Sequence, residues 1–128
     1  MVIQAILNQS KLPDKLVIFD DNDEPEDLRT DFLYKHLFSI LDAKKIVWEW
    51  VFAGKKGQHH IHQLANTSGY DWVWRVDDDA IPETNVLETL YSYTNLHKVG
   101  AIGSSVITPP LQPQYLNSSG LIENIEIE

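Results

Sequence analysis

Three consecutive carboxylates, Asp77-Asp78-Asp79, are the residues of this 128-residue chain whose types and spacing most directly suggest chemistry. An apolar run, Trp72-Val73-Trp74-Arg75-Val76, leads into them, and Ala80-Ile81-Pro82-Glu83 follows. Charges of one sign packed this closely repel, so a chain with no use for them is not expected to cluster them. Hard divalent cations take oxygen ligands, and Mg²⁺ in particular is held by one or two carboxylates plus substrate phosphates. If residues 72–76 form a parallel strand, Asp77 and Asp79 stand at its carboxyl end, where open α/β sheets bind ligands. The chemistry in question is a metal–diphosphate site. The structural alternative is a solvated acidic turn that caps a helix starting at Pro82.

A second acidic group, Asp20-Asp21-Asn22-Asp23, closes the apolar run Leu16-Val17-Ile18-Phe19. A carboxylate at a strand end can accept hydrogen bonds from a base N–H or a ribose hydroxyl. It can equally complement the dipole of the next helix. Lys55 and Lys56, in the loop Ala53-Gly54-Lys55-Lys56-Gly57, offer point charges suited to a diphosphate; solvated loop lysines are the alternative. His59, His60 and His62 form an HHxH cluster in which His59 and His62 share a helix face. A solvated face, a shared metal, or one histidine on a phosphate all fit that spacing. Trp48 with Trp50, and Trp72 with Trp74, lie two residues apart, so each pair falls on one face of a strand. Core packing is the expectation for both pairs, with sugar stacking as the minor alternative.

The elements that must position these residues alternate. Ile3, Ile6 and Leu7 predict a helix that ends at Asn8-Gln9-Ser10. Leu16–Phe19 predicts a strand buried on both faces. A helix follows, with Asp23 as N-cap, Pro25 in its first turn, and an apolar stripe of Leu28, Phe32, Leu33, Leu37, Ile40 and Leu41. Residues 46–52 predict a second strand. Residues 58–67 predict a helix with Ile61, Leu64 and Ala65 inward. Strands over 72–76 and 99–107 flank a helix over 82–97 that buries Val86, Leu87, Leu90 and Tyr91. Gly100 and Gly103 suggest close approach of a backbone or ligand. Residues 108–120 read as loop, and the alternation in 121–128 reads as an edge strand. The expected fold class is α/β: an open, mostly parallel sheet with helices on both faces, GT-A/Rossmann-like and incomplete at both ends.

Composition narrows the partners. Ten basic and 19 acidic residues give a net charge of −9, with no basic patch to neutralise nucleic-acid phosphates. Hydrophobic content of 43% suffices for a core, and the length fits a single domain over 1–128. There are no cysteines, so neither disulfides nor thiolate metal sites arise. No stretch is long and apolar enough to span a bilayer. A cytoplasmic location is the default, with membrane association through a partner or a missing segment as its variant.

Three pieces, in order, resemble the nucleotide-sugar-binding half of family-2-type GT-A glycosyltransferases. Residues 3–23, IQAILNQSKLPDKLVIFDDND, resemble that family's helix, its "LNQ(S/T)…P" and a strand ending in "DD.S". Residues 57–69 match its Gly-led helix before "GYDW", and VDDDAIP matches its DxD metal motif with trailing proline. The resemblance covers roughly residues 3–107. It implies that Asp21, with Asp20, contacts the nucleobase. It places Asp77 and Asp78 by the ribose and bridging diphosphate, and has Asp77 and Asp79 coordinate Mn²⁺ or Mg²⁺. His60 falls about where the family often carries an Arg or Lys.

The implied function is metal-dependent transfer of a sugar, with inversion, from a nucleoside-diphosphate sugar to an unknown saccharide, lipid or protein acceptor. A catalytic base is expected outside this chain, because the family's opening strand and its acceptor half have no counterpart here. The chain is therefore expected to be a partial donor-binding domain of a longer enzyme. Two alternatives stand beside it. A receiver-like phosphoacceptor domain would use Asp20, Asp21 and Asp77 with Mg²⁺, although no lysine precedes Pro109 as a receiver requires. A non-catalytic binding module would keep the fold alone.

Overall fold

The computed structural model describes residues 2–96 and 99–104. The chain divides into two compact units, residues 1–89 and 90–128. In the first, helix α1 (Val2–Leu7) precedes strand β1 (Lys15–Asp20), helix α2 (Phe32–Ala43), strand β2 (Val47–Phe52) and helix α3 (Gly57–Asn66). Helix α4 (Val86–Ser92) begins in the first unit and is followed by a 3₁₀ turn, Tyr93–Asn95. Of the second unit, residues 90–96 and 99–104 are described.

β1 and β2 pair in parallel, in register from Lys15 opposite Val47 to Asp20 opposite Phe52. A parallel pair needs a crossover, and α2 supplies it. Alternation then sorts the side chains. Leu16, Ile18, Trp48 and Trp50 turn to the helices and pack on a core of Ile3, Leu7, Leu37, Phe38, Leu41 and Ile46. Leu41 is completely buried. Phe38 stacks on Trp48 at 4.2 Å, and Trp50 stands edge-on to Phe38 and Tyr34. The Trp48–Trp50 pair is core, as its spacing predicts. The mixed α/β class holds in this coarser form, on two strands.

The ends of α2 are set by local chemistry. Asp31 caps it, accepting from the N–H groups of Leu33 and Tyr34. Asp23, the sequence candidate for this cap, does not serve. The segment it opens first makes a separate 3₁₀ turn, Leu28–Thr30, capped by Asp27. Phe32 and Leu33 consequently lie at the exposed start of α2, 87% and 60% accessible, outside the apolar stripe that periodicity drew. At the other end Lys45 takes a left-handed conformation (φ +59°). Its N–H reaches Asp42 O, and the Ile46 N–H reaches Leu41 O, both at 3.0 Å. This is a Schellman closure with the Ile46–Leu41 apolar contact that usually accompanies it. It delivers the chain directly into β2.

Other expectations are corrected. Residues 72–76 form no strand, and Trp72 is 40% exposed. Strand preference depends on a partner and a face to pack on, and among the described residues this run has no ladder partner. Residues 99–104 are likewise irregular, and a Cβ at Gly100 or Gly103 would meet nothing within 4 Å. The helix expected over 82–97 is shorter, Val86–Ser92. Pro82 lies outside it. No residue of α3 is fully buried, and Leu64 is 40% exposed, so its predicted inward face is only partly covered. The remainder of the 99–107 strand, the 108–120 loop and the 121–128 strand lie outside the described residues.

Candidate functional site at the carboxyl ends of β1 and β2

Parallel pairing puts the carboxyl ends of β1 and β2 side by side. It therefore brings Asp20–Asp23 next to the loop Ala53–Gly57. Asp20 is buried, and its Oδ1 accepts from the Asn22 backbone N–H (3.1 Å) and from Asn22 Nδ2 (2.7 Å). Asp21 reaches across to the loop. Its Oδ1 accepts from the Lys56 N–H and its Oδ2 from the Gly57 N–H, each at 3.0 Å. These donors open α3, so Asp21 caps a helix 36 residues downstream and sets its negative charge against the positive end of that helix. Asp23 forms an ion pair with Lys55.

The loop needs this support. Gly54 (φ +65°), Lys55 (φ +58°) and Gly57 (φ +79°) all occupy the left-handed region. Glycine enters it freely, but a residue with a Cβ such as Lys55 incurs roughly 1–2 kcal/mol. Strained backbone persists where neighbours over-determine it; here Asp21 holds the backbone N–H groups of Lys56 and Gly57, and Asp23 the Lys55 ammonium. Next to it, Arg29 is gripped by both oxygens of Asp27 (2.8 Å each) and lies over the Phe52 ring, 5.5 Å from its centre. That grip holds the Asp27 carboxyl below its ordinary range, through the hydrogen bond from the guanidinium first.

The predicted site residues separate into those engaged within the fold and those that are not. Asp20 and Asp21 are engaged. The Lys56 ammonium and the half-buried His60 have no ion-pair or hydrogen-bond partner among the described residues. Asp77, Asp78 and Asp79 are all exposed. The Ala80 N–H bonds to Asp77 O at 3.1 Å and closes a turn over them. Their carboxylates meet no described donor. Carboxylates are the ligand type that Mg²⁺ and Mn²⁺ take, one or two of them with phosphate and water completing the shell, but Asp77–Asp79 do not by themselves form a three-ligand metal group. Among the described residues no three His, Asp or Glu groups converge as an all-protein metal cage, His59, His60 and His62 included.

No family model, curated protein or solved structure matches this chain.

Sequence reasoning missed one contributor. Gln9, read as part of a helix exit, is a buried polar residue, 5% accessible. Its Nε2 donates to Ala5 O (3.2 Å) and Glu83 O (2.7 Å), and its Oε1 accepts from the Leu87 N–H (3.0 Å). Its position three residues, about one helical turn, past the buried Ile6 was the available signal. Among the described residues no helix is long and apolar enough to cross a membrane.

Proposed function

We propose that this chain is the donor-binding portion of a metal-dependent glycosyltransferase that takes its sugar from a nucleoside diphosphate. The observation that carries the proposal is the Asp77–Asp79 turn, with three exposed carboxylates that no described group neutralises. Mutual repulsion makes such a turn unfavourable on its own, and a divalent cation with a diphosphate would relieve it. Asp77 and Asp79 would hold Mn²⁺ or Mg²⁺. The cation would supply charge stabilisation for the departing diphosphate. Lys56, whose ammonium has no partner among the described residues, and His60 would be the groups to meet phosphate. The end of β1 would take the nucleobase, as sheet ligands sit beyond the carboxyl ends of strands, with Asp21 exchanging its bonds to the Lys56 and Gly57 N–H groups to contact it.

The test is calorimetric titration with UDP, GDP and dTDP, each with and without Mn²⁺, repeated on Asp79→Asn. Metal-dependent binding of one nucleotide, lost in the variant, is the expected result and identifies the base. A folded wild-type protein that binds none of the three would return the triplet to the role of an acidic turn.

A further inference from the structure

The loop that joins β2 to α3 is held by contacts that oppose its own backbone preference. Gly54, Lys55 and Gly57 lie in the left-handed region, three of the five residues with positive φ among those described. The two glycines enter it freely, but the Cβ of Lys55 disfavours it by a factor of roughly 5–30. Two carboxylates pull the other way. Asp23 pairs with the Lys55 ammonium, and both side chains are largely solvated. An exposed pair of this kind is worth a factor of roughly 1.5–5. Asp21 takes the N–H groups of Lys56 and Gly57, and a helix cap is worth a factor of roughly 2–30. Strain and hold are thus of the same size, which poises the loop between two states.

The two grips act on one torsion. The Lys56 N–H belongs to the rigid peptide plane that follows Lys55, and that plane turns with the Lys55 backbone angles. Rotating Lys55 into the right-handed region therefore withdraws the N–H from Asp21 and the ammonium from Asp23 together. There is room for the movement, since a Cβ at Gly54 or Gly57 would meet nothing within 4 Å. The root of the loop stays in place, because Ala53 is buried and its N–H donates to Asp20 O at 2.7 Å. At the far end α3 offers little resistance. It has no acidic residue in its first turn, its N-cap Lys56 makes no side-chain bond to it, and none of its residues is fully buried.

We propose that residues 54–57 are a strap across the carboxyl ends of β1 and β2, latched by Asp21 and Asp23 and driven open by the left-handed Lys55. It opens as a unit. Opening bares the first N–H groups of α3 and releases the Asp21 carboxylate. The device follows from the loop's geometry and holds whether or not the chain binds a nucleotide.

The test uses nuclear magnetic resonance on the full chain. Two quantities are read: amide protection factors at Lys56 and Gly57, and the backbone carbon shifts of Lys55, which separate left-handed from right-handed conformers. Three proteins are compared: wild type, Asp23→Ala, and Asp23→Ala combined with Lys55→Gly. Positions 23 and 55 are exposed, so each protein is expected to fold. Asp23→Ala removes one latch and leaves the strain. It is expected to lower protection at both amides about threefold and to move the Lys55 shifts toward right-handed values. Adding Lys55→Gly removes the strain where no ion pair remains to be lost. Protection is expected to rise again, to about fivefold above that of Asp23→Ala. Wild-type protection at Lys56 and Gly57 in Asp23→Ala overturns the proposal, as does a loss at one amide without the other. Protection that falls while the Lys55 shifts stay left-handed also overturns it, because the cap has then loosened without the strap opening. Failure of Lys55→Gly to restore protection overturns it equally, since the left-handed residue is then not what drives the loop open.

Discussion

The acidic end of β1 and the acidic turn at residues 77–79 carry similar charge but use it differently. At β1, Asp20 closes its own turn, Asp21 caps α3 and Asp23 holds Lys55. At 77–79 the backbone closes the turn, and among the described residues no side chain takes part. The difference shows that clustered carboxylates in a sequence are not one kind of signal. A cluster whose neighbours supply unsatisfied N–H groups or ammonium ions is consumed by the fold. A cluster that meets none keeps its charge unneutralised within the fold. Parallel pairing of β1 with β2 supplies those neighbours to the first cluster. The absence of a strand over 72–76 leaves the second without them.

Substitution can break this comparison. The largest effect is expected for Asp21→Ala, which removes the cap from two N–H groups of α3 and should lower stability by about 1–2 kcal/mol. Chemical denaturation measures it, and faster amide exchange at Lys56 and Gly57 localises it. Asp21→Asn should recover only part, since its amide places a donor against one of the two donors. At the other cluster, Asp78→Ala is expected to change stability by less than about 0.5 kcal/mol, in either direction. A loss there as large as that for Asp21 would mean that the turn is held by its carboxylates after all.

The smallest effect concerns pH. The Asp27 carboxyl is held low by Arg29, so the stability it contributes is present above the unfolded carboxylate's pKa of about 3.9 and is lost as pH falls through the lower folded value. Arg29→Gln should flatten that part of the denaturation midpoint's pH profile. The pair lies at the surface, its side chains 42% and 41% accessible, so solvent screens it and the slope is shallow.

Where a local pattern sufficed, the fold was legible. The spacing of Ile3, Ile6 and Leu7, the apolar runs of β1 and β2, and the glycine-led start of α3 all became the elements they suggested, to within a residue or two. The site was legible as a set of candidates but not as an arrangement. Asp20, Asp21 and Lys56 do share one strand-end region, while the role of Asp21 as a cap for the helix after β2 lies 36 residues from its own position. The Trp72–Val76 run has strong strand preference and no strand, because such preference is realised only against a partner edge.

Periodicity and composition by themselves determined the mixed α/β class, the buried face of α1, the later part of that of α2 (Leu37 and Leu41), the inward pair Trp48 and Trp50, and the location of charge. These follow from neighbours a few positions apart, which the chain carries within itself. Tertiary structure alone decided which carboxylates are spent on capping and which remain open, and it made Gln9 the anchor of a segment 74 residues away. Hydrogen bonds of that span leave no local pattern, because their partners become neighbours only when burial of the core brings the end of α1 beside residues 83–88.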